Sequence, residues 1–462
     1  MYKSYLRFFV LLLVLIFLFS AAVGCTKASE TEKKDSTETT KTSNDNEKKD
    51  STEEITFDPN NPTKISFLNG KPEIINELQE ACEAFSRENP GIVAEALPAE
   101  SGKSPYQTLT VMYNAGNAPS LFMIEQGDVL KVADKVLDLS GERFINDTIE
   151  AALKPVTTED GKVCAAPFAV ESVGFVYNKK VIEEAIGQEF DPNTIKTISD
   201  LENIFKQLEA KGIAPIAISR EDWSLGAHYM MYMYAHQFPN SEKNQEFTED
   251  LRQGKIDLIN NKIFNGWLDT FDLMKKYNIH KNDPLAGNTD KDAALLTSGE
   301  VAFWFMGTFM WPVMERMGAN PSDFGLMPIP VSDDPSYEAN TRLLSVYTMY
   351  LGVDKEQNSL KQQAAAKKFI DWLLYSETGQ DYVINKMQIV PAYTHITLEQ
   401  VNPLNKSLVS YINANRFLDF NIIYPSDHWQ VLGGSMQKYL ADAIDREGLA
   451  KEIETYWANL VE

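Results

Sequence analysis

From Val163 to Val181 the chain reads VCAAPFAVESVGFVYNKKV, and no other stretch constrains the fold as much. Val173, Phe175 and Tyr177 fall on alternate positions, the period of a strand with one face turned inward. Pro167 stands just before them and has no N–H to offer a sheet ladder. The expectation is therefore that the chain leaves one sheet near Pro167 and enters another with Phe175 to Tyr177. A crossing between two lobes meets that requirement.

Around this crossing, short apolar runs alternate with amphipathic ones. Lys64–Leu68 reads as a strand ending at the Asn69–Gly70 turn, and Ile74, Ile75, Leu78, Ala81, Cys82 and Phe85 mark one helix face that Asn89–Pro90 stop. Tyr106–Ala115 is a second helix, and Leu121–Ile124 a buried strand leading into Glu125, Gln126, Gly127 and Asp128. Beyond the crossing, Ser199 and Glu202 have capping-box spacing ahead of a helix stripe, and Ile213–Ile218 is a strand. Phe264 to Met274 is a helix, Val301–Phe305 a strand before a turn at Gly307, and Ala364–Leu374 a helix. Such alternation predicts an α/β fold with a parallel or mixed sheet and with ligands at the carboxyl ends of its strands.

Several stretches carry a resemblance in a fixed order. They are Gly116–Asn117–Ala118–Pro119 before a strand, the crossing with Val176–Tyr177–Asn178–Lys179, and Gly299–Glu300–Val301–Ala302–Phe303 followed by Gly307 and aromatics. Phe324 to Pro328 and the Ala366–Gly379 helix complete the set. Over about residues 62 to 400 the chain resembles extracellular solute-binding protein family 1, the maltose-binding-protein-like lipoproteins of carbohydrate ABC importers. Ser120, Ile198 and Phe309 depart from the family's usual Asp, Trp and Trp.

The resemblance implies a two-lobed periplasmic-binding-protein-like fold (type II) with a ligand cleft between lobes joined by a hinge. The N-terminal lobe would be residues 62–167 plus about 342–395, and the C-terminal lobe 168–341 plus about 396–462. Helix Ala364–Leu374 would return to the first lobe. It also implies a monomer without cofactor that captures a carbohydrate by hinge closure and hands it to an ABC permease.

A sugar presents a hydroxyl rim and an apolar face, so its site needs carboxylates or amides and aromatic planes. Asn69, Glu125, Gln126 and Glu171 are the polar candidates, each near a strand end or the crossing. Asn69–Gly70 reads equally as a plain turn, and Asp128 as the cap of the next helix. Phe309 and Trp311 follow the Gly307 turn and are cleft residues by resemblance. Trp223 and Trp429 are loop aromatics among polar groups, whereas Trp304 alternates inside a strand and reads as core.

At the N-terminus, Lys3 and Arg7 precede the apolar run Phe8–Phe19, and small residues lead to Cys25, the order of a secretory signal. Ala22–Val23–Gly24–Cys25 resembles a bacterial lipobox. Residues 1–24 are thus read as a signal peptide, and residues 25–61 as a lipidated Cys25 and a tether. An uncleaved anchor is the alternative, although the run is shorter than the roughly 20 residues of a spanning helix. Between Thr26 and Glu54 there is no aromatic residue and no aliphatic one larger than Ala, so nothing there can form a core. The expected location is the extracellular face of the cytoplasmic membrane.

A net charge of −23 argues against nucleic acid as a partner. No Gly-x-Ser-x-Gly, His-Glu-x-x-His or Walker pattern occurs, and the five histidines lack ligand spacing, so neither catalysis nor a metal is expected. Cys82 and Cys164 read as buried thiols. Two alternatives stay open: an exported glycosidase with a chance carboxylate pair, and a binding protein that feeds a sensor kinase.

Overall fold

The computed structural model describes residues 55–99, 103–238, 241–398, 402–420, 424–425 and 427–460. The segments read as a signal peptide, the lipidated Cys25 and most of the tether lie outside the described residues. Ten strands run in chain order as β1 Thr63–Asn69, β2 Ile92–Pro98, β3 Leu121–Ile124, β4 Ala166–Asn178, β5 Ala214–Ala217, β6 Val301–Gly307, β7 Phe324–Met327, β8 Leu343–Val353, β9 Val390–Pro391 and β10 Phe417–Asp419. They hydrogen-bond in the order β2-β1-β3-β8-β4-β6-β5, with β7 and β9 on β4 and β10 on β8. The sheet is mixed: β1 is parallel to β2 and β3, while β8 runs antiparallel to β3 and β4.

Two long strands carry the chain from one part of the molecule to the other. Ala166 to Val173 of β4 lie on β8, and Val173 to Tyr177 lie on β6. The expected exit from one sheet and entry into another at Pro167 does not occur: β4 is one unbroken strand of a single sheet, and its neighbour changes from β8 to β6 at Val173. Pro167 sits inside the strand opposite Tyr350, at a point where only β8 is paired with β4. A proline is tolerated there because its nitrogen can face away from the ladder. Pairing lapses opposite Phe168 at Met349, whose φ of +55° lies in the left-handed region. Gly70 makes room for Met349: a Cβ on it would lie 2.9 Å from the Met349 sulfur.

Separate hydrophobic cores flank this change of neighbour. Phe67, Phe85, Leu121, Phe168, Leu351, Phe369 and Leu373 belong to one, so helix Leu360–Tyr375 packs with the N-terminal strands. Phe175, Phe205, Trp267, Phe303, Leu432 and Trp457 belong to another. The helix beyond the crossing is Ile198–Ala210, capped by Thr197 with Asp200 in reciprocal hydrogen bonds, and not by Ser199 and Glu202. Cys82 and Cys164 are buried and unpaired. No helix among the described residues is long and apolar enough to cross a membrane.

Candidate functional site

The carboxyl end of β1 starts the site. Asn69 is buried, its amide donates to the Lys71 carbonyl at 2.6 Å, and its Oδ1 accepts the Lys71 N–H at 3.0 Å. Both ends of its side chain are thus used to close the turn. By closing the turn, Asn69 fixes the backbone of Lys71.

Lys71 is buried, with its ammonium 2.6 Å from Glu73 and in contact with Glu171. Burial opposes the charged ammonium, but the two carboxylates outweigh it and hold Lys71 above its ordinary value. Burial likewise lifts Glu171 above the usual carboxylate range while the Lys71 charge pulls it back. With a cation in direct contact, the pair is ionic.

Glu125 follows β3 and accepts a hydrogen bond from the Thr348 hydroxyl at 3.1 Å. Its side chain is exposed along the cleft, yet protein encloses it at longer range. That enclosure, and then the nearby Glu171 charge, push its carboxyl up to about 7. Cleft water screens part of that effect. Beside it, the Gln126 side-chain nitrogen is buried with no partner among the described groups. Asp128 does not cap the following helix; it pairs with Lys131 at 2.6 Å, and Glu125 holds the cap position of Gln126–Val129.

The opposite wall is aromatic. Phe309 follows β6 and folds over Gly307, where a Cβ would lie 2.2 Å from its ring. Its ring centre is 6.3 Å from Trp223, 5.4 Å from His228 and 5.8 Å from the Lys71 ammonium. Trp223 and His228 are themselves 5.3 Å apart. Burial first, and then the Lys71 charge, push the His228 imidazole down to about 4, so it is neutral at pH 7. Both residues ride on the π-helical segment Trp223–Tyr229, which packs against helix His428–Leu440 through two glycines. A Cβ on Gly226 would come within 2.3 Å of the Gly433 nitrogen. That second helix carries Trp429, half-buried, with its carbonyl oxygen against Gly226.

Lys71, Glu73, Glu171, Thr308, Phe309 and Gln388, among others, border a nearly closed cavity of about 10 Å³, room for roughly one water. Small-ligand pockets span roughly 300–1,000 Å³, so an oligosaccharide would require the walls to part. Among the described residues no cluster could hold a metal.

Of the residues named from the sequence, Glu171 and Phe309 border this cavity, Glu125 lies within electrostatic reach of Glu171 and Trp223 packs on Phe309, while Gln126 and Trp429 are not part of its lining. The structure does not bring Trp311 there. Trp311 is buried in the core with Phe324 5.9 Å away, because the helical turn after Gly307 carries Phe309 and Trp311 in different directions. Sequence reasoning missed Lys71, Glu73, His228 and Thr348. Lys71 and Glu73 follow the same strand-end turn as Asn69, so the strand-end rule extended by a few residues would have found them.

A model of the family described as bacterial extracellular solute-binding protein matches residues 71–380. The chain belongs to this family. An uncharacterised ABC transporter extracellular-binding protein of Pyrococcus horikoshii is 22% identical over 355 residues, which cover 72% of this chain and 71% of that one. The solved structure of the solute-binding protein RafE with raffinose superposes with a TM-score of 0.70 at 15% identity, over 86% of this chain and 99% of its own. Maltose-bound T. maritima MalE3 gives 0.67 at 17% identity, over 85% and 98%. At such identities the likeness shows the fold: the two-lobed, maltose-binding-protein-like α/β architecture with a cleft at the hinge. This extracellular solute-binding protein is not an enzyme, which sets the glycosidase reading aside.

Proposed function

We propose that this solute-binding protein captures a saccharide between its two walls by hinge closure and delivers it to an ABC permease. The observation that carries this reading is the gathering of carboxylates and rings around Lys71: Glu171 in contact with it, Glu125 within electrostatic reach of Glu171, the Phe309 ring 5.8 Å from the ammonium and Trp223 6.3 Å beyond. Hydroxyl groups donate to carboxylates, and the C–H face of a pyranose lies on an aromatic plane. The raffinose and maltose held by the structural relatives support the same class of ligand. We further infer lobe boundaries that pass through β4 near Val173 and β8 near its partner Leu344. The protein would act as a monomer, tethered to the outer face of the membrane by lipid on Cys25.

The test is a thermal-shift screen of the intact chain against mono- and oligosaccharides, with chromatography of each stabilising sugar. A ligand at a hundred times its dissociation constant adds about 2.7 kcal/mol of stability. A raised melting temperature with the sugar recovered intact is the expected result. Absence of any shift with every saccharide would overturn the reading.

A further inference from the structure

Lys71 is the one lysine or arginine among the described residues bordering the cleft cavity. An ammonium has three donors, and this one lies against Glu73 and Glu171 with the Phe309 ring beyond. Around it stand three carboxylates, Glu73, Glu125 and Glu171, the last two near enough to act on each other electrostatically. The aromatic wall supplies no counter-charge, since His228 is enclosed with its Nδ1 buried and unpartnered. A carboxylate or sulfate brought into this space would meet like charge with no fork or ammonium released to receive it.

We propose that Glu73 sets the charge class of the ligand. Together with Glu171 it occupies Lys71, the one cation among the described residues that border the cavity, so that neutral saccharides enter and uronates or sulfated sugars are refused. This rests on the saccharide reading above and adds a specificity determinant to it. Neutral hydroxyls serve as donors to Glu125 and Glu171, and no new ion pair is needed. Exclusion works by leaving an anion desolvated beside carboxylates, a repulsive element of the kind that separates similar ligands.

The experiment compares melting temperatures of the intact chain with maltose, raffinose, xylo- and chito-oligosaccharides against oligogalacturonides and a sulfated chondroitin disaccharide, at equal concentration and low salt. Stabilisation by a neutral sugar and none by the anionic set is the expected result. An anionic sugar that stabilises as well as any neutral one overturns the inference and leaves the saccharide reading standing. No shift with either set overturns both. In Glu73→Gln, one of the two carboxylate charges on Lys71 is removed, and the ratio of anionic to neutral binding should rise by about tenfold or more. Glu73→Asp keeps a carboxylate and should keep the exclusion. An unchanged ratio in Glu73→Gln overturns the role of Glu73, and the wild-type panel decides the charge class even where that variant fails to fold.

Discussion

The two walls of the cleft are built from different chemistry. The wall after β1 and β3 is ionic, with Lys71 buried among carboxylates, and the wall after β6 and on the Trp223–Tyr229 segment is aromatic and uncharged. The ionic wall binds itself together before any ligand arrives, so its internal pairs matter to folding. The aromatic wall has rings at 5–6 Å spacing and an unpartnered His228 nitrogen, so it retains unused capacity. Stability and affinity should therefore respond differently to changes on the two sides.

The largest effect should come from a residue that belongs to neither wall. Trp311→Ala empties a core site and should cost about 3–5 kcal/mol in urea unfolding while leaving saccharide affinity nearly intact. A large loss of affinity without loss of stability would return Trp311 to the cleft. On the ionic wall, Lys71→Met leaves two partly buried carboxylates without their cation and should cost about 2–4 kcal/mol. Adding Glu171→Gln should restore part of that stability; a single variant within about 0.5 kcal/mol of wild type would mean that the pair is not formed in solution.

Trp223→Ala on the aromatic wall should lower affinity for the stabilising sugar by about tenfold or more, roughly 1–2 kcal/mol, with a smaller loss of stability. Equal affinity by calorimetry would remove Trp223 from the site. The smallest effect concerns pH. The folded imidazole of His228 is depressed to about 4, so its contribution to stability is present above the unfolded value near 6.5 and is lost as pH falls toward 4. His228→Phe removes that loss, and its stability relative to wild type should improve by about 1–2 kcal/mol between pH 7.5 and pH 5. A difference independent of pH would show that His228 can accept a proton in place.

Much of the fold was legible where a local pattern and its tertiary use coincide. Leu121–Ile124, Val301–Phe305 and the Lys262–Tyr277 helix follow from apolar periods that the cores then use directly. Pro167 misled because a lost N–H matters only on a paired side, and which side is paired depends on β8, far along the chain. The Thr197 and Ser199 caps have the same spacing logic, and the choice between them lies in where the preceding loop ends. At the site, the places of Glu125 and Glu171 were readable from a strand end and the crossing, and that of Phe309 came from the family resemblance. Lys71 stands in the same strand-end turn as Asn69 and was within reach of that rule, but its pairing with Glu171, a hundred positions away, was not. Phe309 and Trp311 differ by a half turn of helix, which composition does not report.

The most direct test of the account is a crystal structure of the intact protein with whichever saccharide stabilises it most. The account predicts a sugar ring against Phe309 and Trp223 with hydroxyls within hydrogen-bonding distance, about 2.5–3.0 Å, of the Glu125 or Glu171 carboxylates. A sugar bound away from these two walls, or found cleaved between them, would contradict it.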